Sequence, residues 1–376
     1  MVDFINFSPV TGRFKHIYFR MKKIAVVILN WNGKSLLEKF VPVLLAYTPA
    51  DIADIILVDN ASTDKSVPFL QSEYPEIRII QLDKNYGFAE GYNRTINQLE
   101  YKYVVLLNSD VEVSPNWIES ALDYLETHPD VVALQPKILS CNDRTSFEYA
   151  GACGGFLDIY GYPFCRGRIF DVVEKDTKQY NDCIDILWAS GACLFVKTEE
   201  YKNAGGLDSS FFAHQEEIDF CWRLVSRGKR IVCLPSSVVY HVGGATLLMS
   251  NPHKTYLNFR NNLLMIYKNM PDQYLKKVLF FRFFSDVMAA FRFFIRREDG
   301  NLKAVFMARK AFYREKKQYE KIRHENLSKS LPELPPQIFR KSIVFAFYCR
   351  NKQKFSDLLT TYNTFTYFCG CKITNR

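Results

Sequence analysis

The chain has 376 residues, 48% hydrophobic and 15% aromatic, enough for two average domains and a sizeable buried core. Its net charge of +9 is unevenly placed: residues 251–376 hold 25 Lys and Arg against 9 Asp and Glu, and the remainder 24 against 31, which argues against a uniformly basic nucleic-acid binder. The ten Cys form no CxxC pair, with only Cys369 and Cys371 close together, so a structural zinc site or disulfide framework is disfavoured and a reducing cytosol is the expected setting.

The first 20 residues lack an apolar core of signal-peptide length. Met21-Lys22-Lys23 stands directly before the first strand and reads as a second start, which makes residues 1–20 a leader or alternative-start segment. Residues 24–29 are a continuous apolar run closed by Asn30-Trp31-Asn32-Gly33, a buried strand and a turn. Helical spacing over 35–47 ends at Pro49, and a second strand covers 54–58. Ser62 or Thr63 is placed to cap a helix running to about Tyr74. A strand at 77–82, a helix at 87–99 and a strand at 103–107 follow, and Ser114-Pro115 reads as a cap with Pro at the first helical position. A fifth strand covers 131–135. Residues 140–185 read as an irregular region with short strands, 188–196 as a strand, 216–227 as a helix and 230–234 as a strand leading to His241. The three Pro within 328–337 mark a linker or sharp turn.

Strands alternating with helices imply βαβ units, a mostly parallel sheet and helices on both faces. Ligands of such sheets sit at the carboxyl ends of the strands, where Asn30, Asp59, Asn60, Asn108 and Asp110 all fall. Asp59, in Val58-Asp59-Asn60-Ala61-Ser62-Thr63-Asp64, either accepts bonds from a base or ribose or merely caps a helix. Asp110, ending Asn108-Ser109-Asp110, suits Mg²⁺ or Mn²⁺, which binds few carboxylates together with substrate phosphates. Glu216, Glu217 and Asp219 crowd three acids into one turn, which is costly unless a cation or a general-base role compensates. His241, before Gly243-Gly244-Ala245-Thr246, is a candidate neutral imidazole ligand.

In this order and on this strand pattern, the chain closely resembles family 2 glycosyltransferases with the GT-A fold, more narrowly the rhamnosyltransferase-like branch of bacterial surface-polysaccharide enzymes. The matching pieces are Asn30-Trp31-Asn32-Gly33 with its preceding strand, the segment from Val58 to Asp64, Asn85-Tyr86-Gly87-Phe88-Ala89-Glu90-Gly91-Tyr92-Asn93, Asn108-Ser109-Asp110, Ser190-Gly191-Ala192, Glu216-Glu217-Ile218-Asp219 and His241, within about residues 21–270. The resemblance implies that Asn30 and Asp59 line the nucleoside pocket, that Gly87, Phe88, Ala89 and Asn93 border the ribose and diphosphate, and that Asn32, Asn60 and Asn85 belong to the nucleotide-sugar site. It adds Asn108, Ser109, Gly191 and Ala192 to the nucleotide-sugar site. Asp110 and His241 would hold Mg²⁺ or Mn²⁺. Relatives mostly carry Asp where Glu217 stands; Glu217 is the expected base, Glu216 the fallback, and Asp219 holds the helix or an acceptor hydroxyl.

The implied activity is inverting transfer of a hexosyl or deoxyhexosyl group from a nucleotide-diphosphate sugar to a glycan or lipid-linked acceptor, with no nucleic-acid partner. A sugar nucleotidyltransferase would carry a Gly-rich loop with basic residues after the first strand, and this turn has only Lys34 nearby. An oxidoreductase would need GxGxxG there. A non-catalytic nucleotide-sugar binder stays open if Glu217 is not a base.

Residues 271–376 are expected to form a basic, amphipathic helical region after a catalytic domain at 21–270. In 278–295, Arg282, Ser285, Asp286, Arg292 and Arg296 share one stripe beside a wide apolar face. That suits either an in-plane helix on an anionic membrane, with the basic residues meeting headgroups, or a helix packed on the catalytic domain. Basic helical residues 303–323 and a segment at 341–348 follow. The resulting expectation is a cytoplasmic protein at the cytoplasmic face of the inner membrane.

Overall fold

The run Ile24-Ala25-Val26-Val27-Ile28 has no polar alternation, so it folds as a strand covered on both faces, β1 (Ile24–Asn30), in a computed structural model that describes residues 22–243 and 251–361. The expected leader at 1–20, Met21, the Gly244-Ala245-Thr246 end of the His241 motif, and Cys369 and Cys371 lie outside the described residues. After β1 come α1 (Lys34–Ala46), β2 (Ala53–Asp59), α2 (Ser66–Glu73), β3 (Arg78–Gln81), α3 (Gly87–Ile96) and β4 (Tyr103–Asn108). β3, β2, β1 and β4 lie side by side and parallel, so Asn30, Asp59 and Asn108 end three neighbouring strands on one edge.

The chain then reverses through β5 (Val111–Val113), α4 (Trp117–Thr127) and β6 (Val131–Ser140). A small second sheet is built from β7 (Gly155–Asp158), β8 (Pro163–Cys165), β9 (Arg168–Ile169) and β10 (Val172–Val173). β11 (Ile184–Asp185) and β12 (Cys193–Lys197) return to the main sheet, where β12 inserts antiparallel between β4 and β6. After α5 (Thr198–Asn203) and α6 (Glu216–Ser226), β13 (Arg230–His241) pairs with β6 on one side, and its end pairs with β5. The helical part follows as α7 (Pro252–Asn269), α8 (Asp272–Ile295), α9 (Asp299–Glu315), α10 (Glu320–Lys329), β14 (Ile338–Phe339), α11 (Ile343–Arg350) and α12 (Phe355–Thr361). This is the α/β GT-A architecture with a helical C-terminal region.

The strands' period of two splits the core. Val26, Ile28, Leu57 and Leu107 face one side, while Ala25, Val27, Val58 and Leu106 face the other. The second side continues without a break to Phe312, Ile338 and Phe355, and β14 pairs with β7. The boundary expected near 270 is therefore not a break in the core.

Several sequence expectations shift. α4 starts at Trp117, not at Pro115: Asn116 is left-handed (φ 60°), and Ser114 donates to the Val238 carbonyl at 2.7 Å instead of capping. α2 starts at Ser66, because Ser62 and Thr63 turn back to Asn32. Only Cys193–Lys197 of the expected 188–196 strand forms one, since Ser190 donates to the Gln135 side chain. The Pro-rich stretch is a packed turn, with Leu331 donating to the Ser226 carbonyl. In α8, Arg282 and Asp286 are buried instead of meeting solvent or headgroups, as the expected stripe required.

The two sheets meet where the Trp188 indole lies over Gly155, donating to the Phe156 carbonyl at 2.9 Å. A Cβ on Gly155 would stand 2.1 Å from that indole. Gly155→Ala should therefore destabilise the protein by about 2–4 kcal/mol through overpacking, measured by denaturant unfolding.

Candidate active site at the strand ends

Asn30, on the last position of β1, is fully buried, and its amide braces Asp59 (3.3 Å) and Ser62 (3.1 Å). Asp59 in turn accepts from the Ser62 N–H at 3.1 Å. Asn32, left-handed at φ 54°, accepts from Thr63 and Asp64 N–H groups and locks the two strand-end turns together. The expected pocket therefore has Asn30 behind its wall, not on it. The adjacent Trp31 is 52% exposed and offers a flat aromatic surface there, a residue the site expectation did not include.

Asn60 is a staple. Its amide donates to the Asn85 side chain (3.0 Å) and the Gly87 carbonyl (3.1 Å), and its oxygen accepts from the Tyr86 N–H (2.9 Å). Asn85 also accepts from the Gly87 N–H, so the start of α3 is held to the end of β2. Ala89 is buried under it. Asn93 points away from the diphosphate position it was expected to border: it exchanges bonds with both the N–H and C=O of Leu207 and accepts from the Tyr201 hydroxyl.

The α3 start also touches the catalytic side. Phe88 N–H donates to the Phe212 carbonyl at 2.9 Å, and Gly87, at φ 75°, leaves room for the Phe212 ring 2.6 Å from where a Cβ would sit. Gly191 lies between Phe88 and Glu217, at 3.1 and 3.9 Å from its missing Cβ. Ala192 is buried and its carbonyl accepts from Asn108 N–H, and Ser109 Oγ lies across from Gly33.

Glu216 and Glu217 open α6. The helix N-terminus and its N–H groups favour ionised carboxylates, but burial outweighs them. Burial, then Glu217's charge, raises Glu216 well above the usual range, and burial pushes Glu217 up to about 7. Each has an Oε2 out of water without a hydrogen-bond partner. Such buried orphans are rare and mark places where a ligand completes the set. Asp219 does not join them: fully buried, it takes Arg223 (3.0 Å), Lys268 (2.9 Å) and Asn269 (2.8 Å), so it anchors α6 on α7 rather than meeting an acceptor.

The segment before the acids is strained. Phe212, His214 and Gln215 all have positive φ (65°, 71° and 73°), a cost of order 1–3 kcal/mol each without compensation. Compensation comes from α7: the Asn261 amide lies against the carbonyls of Phe211 (3.0 Å), Ala213 (3.0 Å) and His214 (2.8 Å). Arg260 holds the Asn261 oxygen at 2.9 Å, and Asn262 donates to Gln215 at 3.1 Å. No signal in the sequence distinguishes Asn261 from an ordinary polar helix residue.

Asp110 and His241 meet because β5 pairs with β13 in a register that sets Val111 opposite His241. His241 Nε2 stands 3.1 Å from Asp110 Oδ1, and Nδ1 faces Glu148 Oε1 at 3.3 Å. Burial alone would lower the imidazole pKa, but the carboxylates of Asp110 and Glu148 outweigh it and hold it up to about 10. The two carboxylates favour a proton on the ring, and a cation between His241 and Asp110 would compete with that proton. A 3.1 Å separation also suits adjacent ligands of one octahedral cation, whose ~2.1 Å bonds set them about 3 Å apart. Glu148, which the sequence reading left in the irregular region, orients the ring from behind, as carboxylates do for metal-bound histidines. Among the described residues no third His, Cys, Asp or Glu completes a protein-only cage, the arrangement left for a cation that shares substrate oxygens.

A parallel βαβ half with strand-end Asn, Asp and Gly residues, joined to an acidic helix start, is the GT-A architecture. The sequence pattern of Glycosyl transferase family 2 matches residues 25–173, and the chain is a glycosyltransferase. It is 28% identical over 236 residues to the N-acetylglucosaminyl-diphospho-decaprenol L-rhamnosyltransferase of Mycobacterium tuberculosis, covering 58% of this chain and 75% of that one. It is 22% identical over 247 residues to the low-salt glycan biosynthesis hexosyltransferase Agl10 of Haloferax volcanii, covering 64% and 74%. Among solved structures, the fold is similar to S. aureus TarS 1–349 in complex with UDP-GlcNAc (TM-score 0.50, 14% identity, 83% of this chain and 93% of that one). It is also similar to GalNAc-T7 with UDP, GalNAc and Mn²⁺ (TM-score 0.52, 14% identity, 68% of this chain and 49% of that one).

Asn261→Ala should lower kcat about tenfold or more while donor KM moves by about twofold at most, because the start of α6 with Glu216 and Glu217 loses its seat and the strand-end turns keep theirs. Asn261→Asp, which keeps the acceptor for Arg260 but loses the donor, should fall with it; steady-state kinetics of both variants check this.

Proposed function

We propose that this protein is an inverting glycosyltransferase that moves a hexosyl or deoxyhexosyl group from a nucleotide-diphosphate sugar to a hydroxyl of a lipid-linked glycan acceptor in bacterial cell-surface polysaccharide synthesis. The observation that carries it is Glu217: a carboxyl raised to about 7, with one oxygen unsatisfied, against the Gly191–Phe88 edge of the nucleotide site. The acceptor class is supported by the diphospho-decaprenol substrate named for the M. tuberculosis relative.

Asp59 and the exposed Trp31 hold the nucleoside, Trp31 by stacking, with Asn30, Asn32 and Asn60 fixing their turns. Gly87, Phe88, Asn85, Asn108, Ser109, Gly191 and Ala192 border the sugar diphosphate. Asp110 and His241 would hold Mg²⁺ or Mn²⁺, which supplies positive charge against the departing diphosphate. Glu217 accepts the proton of the acceptor hydroxyl as that oxygen bonds to the anomeric carbon. The anomeric carbon–oxygen bond to phosphate breaks in the same step, and its electron pair leaves on the nucleoside diphosphate. Glu216, raised well above the usual carboxylate range by burial and then by Glu217, disfavours a second negative charge in the pocket.

The division of labour is catalysis by 21–270 and membrane placement by 271–376, where the basic excess faces anionic lipid at the cytoplasmic side. All eight described cysteines are free thiols, in keeping with that compartment.

Asp110→Ala should abolish divalent-dependent transfer; full activity in the variant would refute the metal assignment. Glu217→Gln should keep donor binding and lose turnover about a hundredfold or more; if Glu216→Gln does so instead, the base is Glu216. The sign with pH is fixed by the raised pKa: below about 7 Glu217 is neutral, so kcat/KM falls as pH drops through that value. Folding carries the opposite trend. The folded state holds a proton that the unfolded chain has released between the ordinary glutamate value of 4.5 and about 7, so stability from this group is lost as pH rises across that window. Glu217→Gln should thus gain about 1–2 kcal/mol relative to the parent near pH 8 and little near pH 4, read from denaturant midpoints.

A further inference from the structure

α8 is inside out. Its fully buried positions are Val278, Arg282, Asp286 and Ala290, one i, i+4 stripe, so half of what it turns inward is charged. The charges are compensated: Arg282 pairs with Asp286 at 3.3 Å, Arg309 of α9 also binds Asp286, and Arg282 donates to Asn262 and lies over the Tyr162 ring at 4.0 Å. The outward face carries Phe280, Phe284, Met288, Phe291, Phe294 and Ile295, each more than half exposed. Phe306 and Met307 of α9 extend it at 56% and 61% exposed. An apolar patch of this extent is far outside what a free surface shows in water.

We propose that the outer face of α8 and the adjoining part of α9 insert in-plane into an anionic lipid bilayer, apolar side chains entering the acyl boundary. Three observations select lipid. The exposed charges from Asp272 to Lys310 are mostly basic, with Lys276, Lys277, Arg292, Arg296, Arg297, Lys303 and Lys310 against Asp272 and Asp299, which matches anionic headgroups; a second copy packed face to face would bring like charges together. The patch is built mainly of Phe and Met on one long helix lying over the protein, the form of an interfacial helix. No helix of the described residues is long and apolar enough to cross a membrane, and α8 has its inner side on protein, so it lies flat. The inference deepens the membrane contact proposed above by naming the face and by making the contact apolar as well as electrostatic. It does not depend on the transfer chemistry.

The test uses the full-length protein and flotation with phosphatidylcholine vesicles, with and without phosphatidylglycerol. The parent should float with the anionic vesicles, and at least about tenfold less with neutral ones. The triple variant Phe284→Ser, Met288→Ser, Phe291→Ser should lose flotation about tenfold or more, while keeping its nucleotide-sugar binding as proof of folding. Separately, Phe291→Trp should show blue-shifted emission with anionic vesicles and quenching by lipids brominated on the acyl chain. The proposal is overturned if the triple variant floats like the parent, if high salt removes all binding, or if the Trp emission does not respond. It is also overturned if the parent fails to float and sediments as a dimer that the triple variant dissociates. Absence of transfer by the parent with its flotation intact would refute the enzymatic reading and leave this one standing.

Discussion

The amide of Asn261 holds the segment on which both sides of the site are built. It meets three carbonyls of a segment in which Phe212, His214 and Gln215 are all left-handed, a path that L-residues do not follow without help. That path sets both ends of the site. Its carbonyl at Phe212 holds the start of the nucleotide-side helix, and its last residue is the N-cap from which Glu216 and Glu217 project. Because Asn261 belongs to α7, the catalytic sheet and the helical part are joined by chemistry as well as by a shared core.

The site's charges are arranged in two different ways. Asp110, His241 and Glu148 form a line of alternating sign, in which burial strengthens each attraction. Glu216 and Glu217 form a pair of like sign, which burial can keep only by holding protons. The first arrangement would suit a cation in place of the ring proton, and the second a proton taken from a hydroxyl, the roles proposed for them above. Asp219, two positions along the same helix, shows what the alternative looks like: with Arg223, Lys268 and Asn269 around it, a carboxylate in that turn becomes structure.

Much of the fold was legible because its signal is local. Apolar β-branched runs ending in Asn or Asp mark parallel strands and their ligand edge, and β1, β2 and β4 end where the residues say they should. Side-chain direction was less legible. Asn93 belongs to the right motif, yet Leu207 and Tyr201 take up its side chain, and Asn30 turns its amide N–H groups to Asp59 and Ser62, since a motif records presence and not orientation. Long-range partners were least legible: Asp110 and His241 are 131 residues apart and came only with the family resemblance, while Glu148 and Asn261 had no local mark at all. For α8 the amphipathic pattern was plain but its facing was not, because a helical wheel assumes that charge seeks water. Here Arg309 and Asn262 satisfy the charges inside.

That inversion bears on how the protein is handled at the bench. A designer seeking a more tractable variant would normally spare the aromatic stripe of a helix as core and edit its charged stripe as surface. In α8 this instinct removes the keystone, since Arg282 reaches through Asn262 to Gln215 and so to the first turn of α6. The aromatic stripe is the side open to redesign, and the two ionic residues are the ones to leave alone.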